Sequence, residues 1–175
     1  DRSNGRLEHG DANVARTQHT PLWLYGVGEV LTCSREQALL LCENQLNRKN
    51  IEVVKYFEKI GLVRADNSQI LQVYINIILN AIDSMKDHGV LSVTVKEEEK
   101  EINYSVVTFT DNGKGIEEED LDSIFRPFFT SKNEGFGLGL AICKKLIDEH
   151  EGYIRVDSRP NIYTSFMIYL PCKVA

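Results

Sequence analysis

The chain of 175 residues is 42% hydrophobic, 26% charged and 9% aromatic, with a formal net charge of −6. That is enough chain for one domain with a proper core, and the composition is that of a soluble globular domain rather than a disordered or fibrous one. The acidic balance argues against general nucleic-acid binding, and no apolar run reaches the roughly 20 residues that a membrane-spanning helix needs. Neither a nucleic acid nor a bilayer is expected against this domain.

Residues 1–26 are polar and aperiodic, and read as a linker or the remnant of a preceding segment, leaving 27–175 as the domain. No signal peptide is visible. The four cysteines, Cys33, Cys42, Cys143 and Cys172, form no C-x-x-C pair and no zinc spacing with histidine. They read as reduced residues of a cytoplasmic protein.

"VGEVLTC" (27–33) reads as a short strand. Ser34, with Gln37 three residues on, then makes a capping box for a helix whose apolar positions are 38, 39, 41, 42 and 46. "IEVVKYFE" (51–58) is rich in β-formers. Residues 66–86 form a helix opened by Asp66 or Ser68 and ended by "DHG". "VLSVTVKEE" and "INYSVVTFTD" alternate as two strands of a hairpin, joined through the charged stretch 97–101. Residues 111–134 are irregular, with a helical turn near 117–125. A helix follows from Gly139, closed by Gly152 as the residue after its C-cap. "YIRVDS" and "TSFMIYLP" finish as strands. Runs of strands mixed with helices point to an α+β two-layer sandwich, a mixed sheet covered on one face by helices.

The helix over 66–86 poses a chemical question. Its apolar side is Ile70, Val73, Ile77, Ile78, Ala81, Ile82 and Met85, yet Gln72, Asn76, Asn80 and Asp83 run along another face. Asparagine is a mediocre helix former, so two of them four residues apart ask for a reason.

Two glycine clusters follow: "DNGKGI" (111–116) directly after a strand, and "GFGLGL" (135–140) directly before a helix. Glycines at 135, 137 and 139 let a backbone approach a ligand and expose its amides, and the helix end behind them favours an anion such as phosphate. The second cluster lacks the Lys-Ser/Thr ending of a P-loop, and it lies too late in the chain for a dinucleotide-binding βαβ unit.

In order, "NIILNAIDSM", "DNGKGI", "FRPFF", "GFGLGL" and "YTSFMIYLP" resemble the ATP-binding catalytic domain of sensor histidine kinases. That domain belongs to the Bergerat-fold superfamily of type II topoisomerase, heat-shock chaperone and mismatch-repair ATPases. The resemblance covers about residues 27–172, and the wording "PFFTSK" resembles kinases of nitrogen regulation and sporulation.

The resemblance implies ATP and Mg²⁺ as cofactors. It makes Asn76 and Asn80 catalytic and nucleotide-binding, with Asn80 the metal ligand through its amide oxygen and Asp83 on the same polar stripe. It gives Asp111 the adenine 6-amino group, with Gly113, Gly115 and Ile116 beside it. Phe128 belongs to the aromatic box, whose phenylalanines also read in part as core, and Thr130 and Lys132 to a short lid over the phosphates. Gly135, Phe136, Gly137, Leu138, Gly139 and Leu140 form the phosphate loop, Phe136 standing where Thr is commoner. Thr164 faces the adenine pocket, although Tyr163 replaces the usual glycine before it.

Superfamily members that hydrolyse ATP place a glutamate base four residues before the metal-binding asparagine. Asn76 stands there and cannot take up a proton as a carboxylate does, which favours phosphoryl transfer to a protein side chain. Neither His9 nor His19 sits in the family's acceptor motif. The expected partners are therefore a histidine-bearing dimerisation domain of a parent kinase and, downstream, a response regulator. A serine-directed kinase of the same superfamily and a nucleotide-binding regulatory module without transfer activity are the alternatives.

Overall fold

The structure is a computed structural model that describes residues 30–61, 63–99, 101–130 and 136–172. The domain boundary expected near residue 26 lies outside them. The elements are α1 (Val30–Arg48), β1 (Glu52–Phe57), α2 (Asn67–Ser84), β2 (Val90–Glu98), β3 (Tyr104–Asp111), α3 (Gly139–Glu149), β4 (Tyr153–Arg159) and β5 (Tyr163–Pro171). A short 3₁₀ turn at Glu118–Asp120 precedes α3, within the expected span 117–125. The strands form one sheet in the order β1-β2-β3-β5-β4. β1 runs parallel to β2 and every other pair is antiparallel. The α+β sandwich expected from the sequence is the fold observed.

Strand alternation decides which side of the sheet the helices cover. Leu91, Val93, Val95, Val107, Phe109, Phe166, Ile168 and Leu170 join the core with the buried faces of α1, α2 and α3. Register aligns Val93 with Phe109 and Phe109 with Phe166, so the apolar residues stack in rows across the strands. At the end of one row Asp111 pairs with Leu91 on one side and Thr164 on the other. The opposite face carries Tyr153 stacked on Tyr169 at 4.3 Å, with Tyr104 edge-on to both.

Helix α2 is the central element. Asp66 caps it, accepting from the backbone N–H groups of Ser68 and Gln69 at 2.8 and 3.1 Å. These bonds, led by that with the Ser68 hydroxyl, hold the Asp66 carboxyl below its ordinary range. All seven expected apolar residues of α2 are buried, and Tyr74 with them. At the other end the Lys49 ammonium, at the close of α1, donates to the carbonyls of Ile82 and Met85 at 2.7 and 2.9 Å. It thereby satisfies acceptors that the helix leaves open.

Four expectations are corrected. The strand expected at 27–33 is not one where it is described: the chain is helical from Val30, and Val30–Arg48 is a single helix. Ser34 does not cap that helix. It is buried inside it and donates to Asn67 Oδ1 at 2.5 Å, joining α1 to the start of α2. β-Forming residues that continue into "SREQALLL" are carried into the helix because Ala38, Leu39, Cys42 and Leu46 bury a stripe against α2. Leu41, expected on that stripe, is 63% exposed. At the end of α3, Glu151 rather than Gly152 is the left-handed residue (φ 59°). The N–H groups of Glu151 and Gly152 close a Schellman motif on the carbonyls of Asp148 and Ile147. Gly152 is one position further on, where any Cβ would lie 2.3 Å from the Tyr169 carbonyl oxygen.

Candidate functional site

The last turn of α2, the end of β3, the loop after it and the start of α3 enclose a cavity of about 680 Å³, within the range of small-molecule sites. Asp111 lies at one end, almost fully buried. Its Oδ1 accepts from the Gly113 N–H at 2.9 Å and from the Ser84 hydroxyl at 2.7 Å. Its Oδ2 takes no hydrogen bond from the described residues, and Asp111 lines the cavity. Burial pushes the carboxyl above its ordinary range, against the opposing pull of Ser84 and Gly113.

The loop that follows is built around close contacts. A Cβ on Gly113 would meet Ser84 Oγ at 2.1 Å, and one on Gly115 would meet the Arg159 carbonyl oxygen at 2.4 Å, with φ at +70° besides. Only glycine fits either place. The Ile116 N–H donates to Ser158 Oγ at 2.9 Å, and that hydroxyl lies 3.1 Å from Thr164 Oγ1. The β4–β5 turn is thereby fastened to the wall of the cavity.

Helix α3 supplies the other end. Leu138 at its N-cap position makes no side-chain capping bond, so the first N–H groups of the helix lack that partner beside the cavity. Gly137 holds φ +64°, and its carbonyl accepts from the Phe128 N–H at 3.0 Å. The aromatic loop and the glycine loop are latched together there.

Most of the expected residues meet at this cavity. Asn80 and Asp83 line it from α2, and Asp111, Gly115, Ile116 and Thr164 from the sheet side. Thr130, Phe136, Gly137, Leu138, Gly139 and Leu140 line it from the loop and α3. Three expected residues do not line it. Asn76 turns toward α3, its Nδ2 donating to the Gly139 carbonyl at 3.4 Å. Gly113 is buried behind Asp111. Phe128 is 74% exposed in a left-handed conformation (φ 67°), while its neighbour Phe129 lines the cavity instead. Lys132 and Gly135 lie outside the described residues. The sequence reading missed Ser84, Lys114, Glu117, Asp120 and Asn161, which also line the site. Lys114 and Gly115 share a motif, so Lys114 was within reach; Asn161 carries no sequence signal of its own.

Residues 65–174 match the family described as "Histidine kinase-, DNA gyrase B-, and HSP90-like ATPase", over more than half of the chain. The chain belongs to that family. Kinases are among its relatives within the family. It is 40% identical over 134 residues to sporulation kinase A of Bacillus subtilis (strain 168), a match covering 76% of this chain and 22% of that kinase. It is 42% identical over 112 residues to the sensor histidine kinase ZraS of Escherichia coli (strain K12), covering 64% of this chain and 23% of the relative. The chain thus spans under a quarter of these curated relatives. The solved catalytic domain of histidine kinase ThkA superposes with a TM-score of 0.72 at 34% identity, covering 81% of this chain and 91% of that one. The expected kinship with sporulation kinases, carried by "PFFTSK", is observed. Among the described residues no helix is long and apolar enough to cross a membrane.

Proposed function

We propose that this chain binds Mg·ATP and transfers its γ-phosphoryl group to a histidine on a separate, cytoplasmic dimerisation domain of a parent sensor kinase. One arrangement carries this: a buried carboxylate with a free oxygen at one end of the cavity, and a helix N-terminus without a side-chain cap at the other. Asp111 Oδ2 accepts from the adenine 6-amino group. Guanine, with a carbonyl at that position, would leave the carboxylate unpaired. The α3 amides meet the triphosphate.

Among the described residues no cluster of three or more His, Cys, Asp or Glu is suited to hold a metal. Asn80 nonetheless lines the cavity, and a carboxamide oxygen is the kind of donor a hard cation takes. That donor set fits Mg²⁺, which keeps water and substrate phosphate oxygens as most of its ligands. The ion would neutralise charge on the phosphates. The protein's task is positioning, which is most of catalysis in phosphoryl transfer.

In the transfer the P–O bond to the β-phosphate breaks, ADP leaves, and a P–N bond forms to the acceptor imidazole. With asparagine at 76, no carboxylate stands at that position to activate water. A response regulator is the next acceptor. The histidine kinase ThkA, solved in complex with response regulator protein TrrA, matches this chain at 32% identity and a TM-score of 0.67, over 82% of this chain and 40% of that one.

Incubating the chain with γ-labelled ATP tests the proposal. Alone it should bind ATP and label itself hardly at all. A histidine-bearing helical domain added as a separate polypeptide should gain acid-labile label slowly, because the tether that raises effective concentration is missing. Asn80→Ala should abolish that label. Acid-stable label, or hydrolysis without transfer, would overturn the assignment.

A further inference from the structure

The β4–β5 turn places Asn161 at the mouth of the cavity in a left-handed conformation (φ 60°). Two contacts fix that backbone. The Asn161 N–H donates to the Lys114 carbonyl at 2.7 Å, and the Lys114 N–H donates to the Ser84 carbonyl at 3.1 Å. Ser84 in turn donates to Asp111. Asn161 is therefore tied through Lys114 and Ser84 to the carboxylate end of the cavity, not to the α3 end.

The Asn161 side chain is exposed and its carboxamide has no hydrogen-bond partner among the described residues. Glycine would adopt this φ freely, whereas asparagine is one of the few other residues that accept it. The backbone therefore permits asparagine here without requiring it. What glycine would lack is an amide held beside the site with both a donor and an acceptor unused.

We infer that Asn161 is a nucleotide-contact residue, hydrogen-bonding the nucleoside half of the bound nucleotide from the rim opposite the phosphate loop. A nucleoside offers ring nitrogens that accept and ribose hydroxyls that donate and accept, so a carboxamide at this rim has partners there. The inference rests on the reading of the cavity as an ATP site. It adds a second polar contact to the one made by Asp111, from a turn far away in the sequence.

The left-handed backbone makes Asn161→Gly a clean variant, because glycine accommodates φ 60° at no steric cost. Calorimetric titration of wild type and variant with ATP, and displacement of a fluorescent ATP analogue by AMP, give the two arms. The variant should keep the wild-type melting profile and bind ATP about 3- to 10-fold more weakly, the scale of one hydrogen bond. AMP should weaken by the same factor, since both ligands carry the nucleoside. A loss confined to ATP would place the contact on the phosphates and overturn the inference. Asn161→Asp keeps the shape and the tolerance of this backbone while removing the amide donor, and adds charge on a rim that already holds Glu117 and Asp120. It should bind at least as weakly as the glycine variant. ATP binding unchanged in both variants would overturn the inference alone, whereas failure of the wild type to bind ATP would remove the site reading beneath it.

Discussion

The proposed adenine contact asks Asp111 to be an ionised acceptor, the state that its burial disfavours. Its carboxyl is buried beside an apolar core, and that burial raises its pKa above the ordinary value. A raised carboxyl pKa means that the folded state binds the proton more tightly than the unfolded chain does. The stability this contributes is complete below the unfolded value of about 3.8 and is lost as pH rises through the folded value. At neutral pH the ionised group therefore weighs against the fold. Asp111→Asn keeps an oxygen for the Gly113 N–H and the Ser84 hydroxyl and removes the charge. The variant should melt at a higher temperature than wild type at pH 7, and that advantage should shrink as pH falls toward 4. Its ATP affinity should drop by about 1–3 kcal/mol, the cost of a mismatched buried partner. Thermal melts across pH, paired with titration calorimetry, measure both; a variant less stable than wild type at pH 7 would show that the charge is compensated. Asp111 and Asn80 were legible because their neighbours repeat a known order of motifs. Asn76 shares the helical stripe of Asn80, and its Nδ2 reaches the Gly139 carbonyl at the start of α3. Ser84 and Asn161 were not legible, since they meet only in the fold, Ser84 bonding Asp111 at the end of β3 and Asn161 bonding Lys114 just beyond it.

At the scale of elements, two helix starts differ in kind. The N-terminus of α2 is closed by Asp66, and Asp66 is tied further by its own N–H, which donates to His150 Nε2 at 3.0 Å, while Nδ1 of that ring faces the Leu146 carbonyl at 2.7 Å. The N-terminus of α3 has no side-chain cap and is shaped by Gly137 instead. Asp66→Ala should lower the melting temperature, as loss of an N-cap does, with ATP affinity unchanged. Gly137→Ala should do the reverse in emphasis. Its Cβ would stand 2.5 Å from the Phe129 carbonyl oxygen at φ +64°, so the latch to Phe128 must open. ATP affinity should fall tenfold or more, about 1.4 kcal/mol, beside a backbone cost of about 1–2 kcal/mol. Unaltered binding by Gly137→Ala would show that the latch has no part in forming the phosphate site. The sequence placed both helices because periodicity is a local signal, but it set the close of α3 one residue late. It misjudged residues 30–33 because their β-forming tendency is overruled by the helix they open, which Ala38, Leu39, Cys42 and Leu46 hold against residues far downstream.

The whole molecule is larger than the stretch that defines its family. The family match begins at residue 65, after both α1 and β1. Yet Leu39, Cys42, Leu46 and Ile51 are buried in the common core, and β1 forms one edge of the sheet as the parallel neighbour of β2. Without α1, the side of α2 that packs on it would face water, and the carbonyls of Ile82 and Met85 would lose the Lys49 ammonium. Burial of an apolar side chain contributes about 1.5–3 kcal/mol, so four of them amount to roughly 6–12 kcal/mol. A typical domain has only about 5–15 kcal/mol in total. A chain beginning at Ala65 keeps every residue assigned to nucleotide contact, including Asn80, Asp111 and Asn161, and should nevertheless fail to fold. Thermal unfolding followed by circular dichroism should show no cooperative transition for the shortened chain, and titration should detect no ATP binding. If the shortened chain melts cooperatively and binds ATP like the full one, α1 and β1 are accessories, and the nucleotide site is held by α2, α3 and the antiparallel part of the sheet alone.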